Sequence, residues 1–252
     1  MKSKTRLCLI LLSFSFSCSD KDTESPNRNN NIGGVNSGCG AGPSIVTDID
    51  GNIYNVVTIG NQCWMKTNLK TTRYRNGDSI PGNLNDTIWG SGIGAQADYN
   101  GDTALTSEYG KLYNFYAVSD LRGLCPIGWH VPSDAEWNYL AKTLDYAADT
   151  TCISCIQSTV VGGMMKDTGS AFWQPPNLDA TNVTGFTALP GGFRTGGDPS
   201  NYFYLSTAGF WWTSRAVTSN SAWTRGIYYD NGYFRRLEAD RLNGFSVRCI
   251  KD

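Results

Sequence analysis

The sequence predicts an α+β domain made of small antiparallel sheets, one or two helices and long loops. Three features carry this expectation. One segment in the middle of the chain has both the start signal and the apolar stripe of a helix, the last third alternates as strands do, and 28 glycines in 252 residues call for many turns.

The chain begins with Met1, Lys2, Ser3, Lys4, Thr5 and Arg6, followed by an apolar run from Leu7 to Phe16. A charged start before a short greasy stretch is the order of a secretory leader. A membrane-spanning helix needs about 20 apolar residues, so this run is too short to be one. Ser15-Phe16-Ser17-Cys18 resembles a lipobox, which makes residues 1–17 a lipoprotein signal peptide and Cys18 the lipidated residue. The residues after it, Ser19, Asp20, Lys21, Asp22, Thr23 and Glu24, are similar to the acidic surface-export signals of Bacteroidetes lipoproteins. The expected location is therefore the outer membrane, with the cell surface favoured and the lipid anchor as the membrane contact. Residues 18–43 are rich in Asn, Gly and Ser and poor in apolar residues, which reads as a flexible tether.

A folded domain is expected over residues 44–252. Ile45 and Val46, the turn Asp48-Ile49-Asp50-Gly51-Asn52 and the run Ile53 to Ile59 give strand, turn and strand, because Asp-Gly tolerates the positive φ of a hairpin. From Lys66 to Tyr109 the texture is loop-like, with turns at Asn76-Gly77-Asp78, Pro81-Gly82 and Gly90 to Gly94. Leu112 to Val118 is apolar on both faces and therefore buried, as a strand or a short helix. Ser133 followed by Glu136 is a capping box, and Trp137, Leu140, Ala141 and Leu144 recur at helical spacing, which predicts a helix over about 134–146. Strands follow at Phe210–Ser214, Ala222–Tyr229, Tyr233–Glu238 and Gly244–Ile250, with Asn231-Gly232 as a two-residue hairpin.

Five ordered blocks resemble one family. They are Asp48 to Tyr54, Ile59-Gly60-Asn61-Gln62-Cys63-Trp64-Met65, Tyr109 to Val118, Cys125-Pro126-Ile127-Gly128-Trp129-His130-Val131-Pro132-Ser133, and Gly244-Phe245-Ser246-Val247-Arg248-Cys249. Together they are similar to the Fibrobacter succinogenes major paralogous domain, a family abundant in bacterial surface lipoproteins. The resemblance implies a C-type-lectin-like scaffold, akin to that of formylglycine-generating enzymes. It implies no established activity.

An exported chain favours disulfides. With Cys18 lipidated, the mature chain keeps Cys39, Cys63, Cys125, Cys152, Cys155 and Cys249, which can pair in many ways. The lectin-like scaffold implies Cys125 with Cys249, Cys39 with Cys63 at the start of the domain, and Cys152 with Cys155 as a local clip. A zinc or redox role for Cys152-Ile153-Ser154-Cys155 lacks a second ligand pair and the strand-then-helix context of a redox motif. His130 is the single histidine, and no Gly-x-Ser-x-Gly elbow accompanies it, so a buried, hydrogen-bonded imidazole is expected beside the helix start. Asp98-Tyr99-Asn100-Gly101-Asp102 has oxygen ligands at alternate positions. Thr103 and Tyr109 occupy the places where a calcium loop needs Gly and Glu, so a turn is expected there. No metal or cofactor site is expected, and no catalytic residue is assigned.

The net charge is −1 and the basic residues are spread out, which excludes a nucleic-acid footprint. Trp211, Trp212, Trp223 and Tyr229, with Arg225 nearby, form the candidate ligand platform, since exposed aromatics beside polar groups suit glycan or protein recognition. The leading expectation is a non-catalytic, surface-anchored binding or adhesion lipoprotein that recognises a glycan or an envelope protein. A structural or accessory component of an outer-membrane protein complex comes second. An enzyme of the formylglycine-generating superfamily comes last, because only Cys249 falls in the C-terminal third, where that chemistry would need paired cysteines.

Overall fold

The computed structural model describes residues 39–40, 44–197 and 201–252. The signal peptide 1–17, Cys18 and nearly all of the tether lie outside the described residues. Strands are β1 (Ile45–Thr47), β2 (Ile53–Ile59), β3 (Gln62–Met65), β4 (Gln96–Ala97), β5 (Leu112–Tyr113), β6 (Trp129–His130), β7 (Cys155–Ser158), β8 (Gly191–Arg194), β9 (Tyr202–Leu205), β10 (Ala208–Ala216), β11 (Ser221–Tyr228), β12 (Phe234–Asp240) and β13 (Ile250–Lys251). Helices are α1 (Asp86–Trp89), α2 (Thr103–Tyr109), α3 (Phe115–Val118), α4 (Asp134–Leu144) and α5 (Val161–Met165). This is an α+β fold of small sheets. One sheet runs β1-β2-β3-β13-β6, a second runs β7-β12-β11-β10-β8-β9, and β4 pairs with β5. All pairings are antiparallel except β8 with β10.

Helix α4 starts where its capping box predicts. Ser133 Oγ accepts from the Glu136 amide while the Glu136 carboxylate accepts from the Ser133 amide, so two amides that the helix itself leaves unpaired are satisfied. Its stripe buries Trp137, Leu140 and Ala141. Leu112 to Val118 contains both of the alternatives the sequence left open. It is a short strand, β5, followed by the one-turn helix α3, whose N-cap Asn114 accepts from the Ala117 amide.

Three sequence expectations change. The stretch 66–109 is not all loop: it carries α1 and α2, capped by Asn85 and Asp102, and neither helix has the long apolar stripe that would have marked it. The strand expected over Gly244–Ile250 is mostly irregular. Gly244, Phe245 and Ser246 bridge to Arg194, Tyr113 and Trp211 in turn, so the segment stitches separate sheets together instead of extending one. Asn231-Gly232 does not make a two-residue hairpin, because pairing between β11 and β12 stops at Gly226 and Arg235. The carbonyls beyond that point serve other partners. The buried Lys166 Nζ donates to the carbonyls of Leu178, Tyr228 and Asn231 at 2.6, 3.1 and 3.0 Å, and the Gly163 amide takes the Gly232 carbonyl.

The six-stranded sheet is covered on both faces. On one side Phe210, Trp212 and Ala222 pack with Phe115, Phe245, Cys125 and Cys249. On the other, Trp211, Ile227 and Phe234 pack with Trp64, Trp137, Leu140 and Phe186. Trp64 and Trp137 lie 4.6 Å apart between ring centroids, within the range where tilted aromatic pairs attract.

The structure contains the bridges Cys39–Cys63, Cys125–Cys249 and Cys152–Cys155, with Cα separations of 4.7, 6.0 and 6.0 Å, all inside the disulfide range. These bridges fit an exported chain. Among the described residues, no helix is long and apolar enough to cross a membrane.

His130 is half-buried, not enclosed. Its ring nitrogens contact Glu136 Oε1 at 2.8 Å and Asp252 Oδ1 at 2.6 Å, which ties the chain's end to the start of α4. The hydrogen bond to Glu136 raises its pKa most, burial opposes this, Asp252 adds to it, and the result is about 8. A histidine whose pKa is raised on folding contributes stability in full below its ordinary value near 6.5 and loses it as pH rises through about 8. With the side chain 39% exposed, solvent screening reduces the contribution to about 1 kcal/mol. Thermal unfolding followed against pH is therefore expected to find the native chain more stable than His130→Gln at pH 6 and indistinguishable from it at pH 9. An advantage that persists at pH 9 would rule this linkage out.

Candidate functional site

The expected aromatic platform is not a surface. Trp211 and Trp212 are 0% exposed, and each indole N–H is spent inside the protein, on Asn68 Oδ1 at 2.8 Å and on the Tyr113 carbonyl at 2.7 Å. Trp223 is buried beneath the Arg236 guanidinium, 3.5 Å from its ring centroid. Arg225 is 0% exposed and joins Arg236 in bonding Asp134, at 2.9 Å in each case. Tyr229 is half-buried against the core beneath α4, and its amide donates to the Thr207 carbonyl. Adjacent aromatics do point to opposite faces, as strand geometry requires. Both faces are covered at these strands, so Trp211, Trp212, Trp223 and Arg225 are interior and present no exposed platform, while Tyr229 stays partly exposed at the margin of the core.

A different place gathers polar chemistry. Helix α1, the segment following β4, and strands β8 and β9 line an open cavity of about 420 Å³ whose walls include Asn83, Asp86, Asp98, Gly101, Arg194 and Tyr202, among others. Asn85 caps α1 and sets Asp86 in its first turn, where the helix dipole favours an acid. Arg194 and Tyr202 are register partners across β8 and β9. Their strands meet closely because residue 192 is glycine: it has φ 60°, and a Cβ there would sit 2.2 Å from the Phe203 carbonyl oxygen.

The Arg194 guanidinium carbon lies over the Trp89 ring, 4.0 Å from its centroid, and 5.8 Å from the Tyr202 ring centroid, and the guanidinium bonds Asp86 Oδ1 at 2.9 Å. Trp89 is anchored in turn by its N–H to the Leu242 carbonyl at 2.6 Å. Asp98 receives Lys111 Nζ at 2.5 Å and the Thr106 hydroxyl, both on Oδ1. The loop expected at Asp98–Asp102 is indeed a turn, a single 3-10 turn over Tyr99–Gly101, and Asp102 caps α2. The Tyr99 and Tyr202 rings lie 5.1 Å apart, inclined at 58°. Burial raises the Tyr202 phenol above its usual pKa, with Arg194 working against the shift, so it is a neutral donor and acceptor at physiological pH. Just beyond the cavity, Phe203 and Tyr204 on β9 are about half exposed and are aromatics that this sheet does present.

A second cavity of about 220 Å³ lies by the first hairpin, between Asp48, Ile49, Arg75 and Ile127. Its polar groups are occupied: Asp48 accepts from the Tyr54 hydroxyl at 2.6 Å, and Arg75 donates to the carbonyls of Cys125 and Trp129. Among the described residues, no group of three or more His, Cys, Asp or Glu side chains is placed to hold a metal ion.

Among the cavity's lining residues sequence reasoning reached Asp98 and Gly101, both as parts of a candidate calcium loop read as a turn. Asp86, Arg194 and Tyr202 belong to no motif, and they meet because β8 and β9 pair beside a one-turn helix more than a hundred residues away in sequence. No curated protein and no solved structure matches the chain. The family model described as the Fibrobacter succinogenes major domain matches residues 57–251, from β2 through β13 and across every element that forms the cavity. The chain is thus a member of the Fibrobacter succinogenes major domain family.

Proposed function

We propose that this protein is a non-catalytic binding or adhesion module, exported and held on the outer membrane by lipid at Cys18, with its tether carrying a C-type-lectin-like domain. The observation that supports a binding role most directly is the cavity between α1, β8 and β9. It combines an aromatic ring with charges that are already neutralised in pairs, a composition suited to holding a small polar ligand. Its size falls in the usual range for small-ligand sites, about 300–1,000 Å³. The three disulfides and the apolar leader support export.

The half-exposed Phe203 and Tyr204 on the edge strand β9 favour a second reading, an accessory component seated against another outer-membrane protein. The two readings separate on variants. Binding of the full chain to a glycan array, lost in Tyr202→Ala and kept in Phe203→Ser, is the expected result. Loss of co-purification with one membrane protein in Phe203→Ser, with no array binding, would replace the first reading by the second. For the anchor, palmitate labelling is expected to vanish in Cys18→Ala, and undiminished labelling would refute attachment there.

A further inference from the structure

We infer that the cavity between α1, β8 and β9 takes a neutral saccharide and does so without a divalent cation. This rests on the reading above that the cavity is the ligand site. The first argument is charge. Asp86 already faces Arg194 at 2.9 Å, and Asp98 already faces Lys111 at 2.5 Å, with Asp98, Lys111 and Arg194 all buried. Each pair is already close to neutral, so an added anion or cation would bring a net charge to a poorly solvated site with no counter-charge left to balance it. A neutral ligand leaves both pairs intact.

The second argument is hydrogen bonding. Asp98 collects Lys111 and Thr106 on one oxygen, which leaves Oδ2 as an acceptor for a hydroxyl. Asn83, exposed at the rim, adds an amide, and the Tyr202 phenol, whose oxygen accepts from Arg194, keeps its O–H to donate. Sugar hydroxyls, which donate and accept at once, match this mixture where a purely apolar or purely acceptor ligand does not.

The third argument is shape. Tyr202 presents a ring to the cavity and is buttressed by Tyr99, and an aromatic face is the surface on which the C–H face of a pyranose packs. A divalent cation is disfavoured for the same reason as a charged ligand. Calcium takes about six to eight oxygen ligands, and the two carboxylates available here already face an ammonium and a guanidinium that would repel it.

The test is an array of neutral and acidic glycans probed with the full chain, with and without EDTA, followed by calorimetry on the hits. Neutral glycans bound equally well in EDTA, and about tenfold more weakly by Tyr202→Ala, are expected. The rim variant Asn83→Gly, which removes the amide and suits the positive φ of 55° at that position, is expected to weaken the same ligands by a smaller factor. If the hits are acidic glycans, or are lost in EDTA, yet still depend on Tyr202, the neutral-saccharide inference falls while the cavity remains the ligand site. Hits indifferent to Tyr202→Ala and Asn83→Gly, or no hits at all, would overturn both.

Discussion

Replacing Cys125 and Cys249 together by alanine is expected to cost about 5 kcal/mol and to leave the domain largely unfolded at 37 °C. The bridge spans 124 residues of sequence, and the loop-closure entropy that a crosslink removes from the unfolded chain grows with the logarithm of that length. Both sulfurs lie in the core, with Cys125 just ahead of β6 and Cys249 just ahead of β13, so the bond holds the edge strand β6 of the five-stranded sheet against its neighbour β13. The same reasoning gives about 3.5 kcal/mol for Cys39–Cys63 and about 2 kcal/mol for Cys152–Cys155, whose separations are 24 and 3. Denaturant unfolding of the three double-alanine variants is expected to rank them in that order. If loss of Cys152–Cys155 proves as damaging as loss of Cys125–Cys249, loop length is not what governs their contribution.

Asp134→Asn is expected to lower stability by about 3 kcal/mol and the unfolding midpoint by about 10 °C. Asp134 faces two buried guanidiniums: Arg225 on one oxygen, and Arg236 on both. Asparagine keeps the shape and loses the charge, so two cations would face each other across a neutral amide. Burial tends to raise the Asp134 pKa, but Arg236 and Arg225 outweigh it and hold the carboxyl below its ordinary value. Its contribution is therefore present at neutral pH and is lost as pH falls through that lowered value. The network also docks α4 onto β11 through Arg225 Nη2 to Asn138, while Arg236 Nη1 on β12 holds the Cys152 carbonyl in the loop ahead of β7. Adding Arg236→Met to Asp134→Asn is expected to restore part of the loss, because one unpaired charge is then removed. A loss below about 1 kcal/mol for the single variant would mean that water reaches the pair and screens it.

Much of this protein can be read locally. The capping box at Ser133 and Glu136, the stripe Trp137, Leu140, Ala141 and Leu144, and the alternation of β10 to β12 each announce an element, because the signals lie within a few residues of one another. The turn at Asp98 to Asp102 is legible for the same reason. Which face of a strand is covered is not local information. By alternation alone Trp211 and Trp223 read as core or as an exposed platform, with no residue nearby in sequence to decide. The outcome depends on Asn68, which accepts from the Trp211 indole, on Arg236, which covers the Trp223 ring, and on Asp134, which pairs Arg225 between them.

The sequence by itself determined the exported character expected from the leader, the family, the capped helix and the strand-rich C-terminal third, since each rests on residue type and short-range spacing. Only the tertiary structure decided which aromatics are buried and where a ligand could sit. The sheet acquires its second covering layer from segments remote in sequence, and the pocket charges Asp86 and Arg194 become partners only when strand pairing and α1 bring them to 2.9 Å.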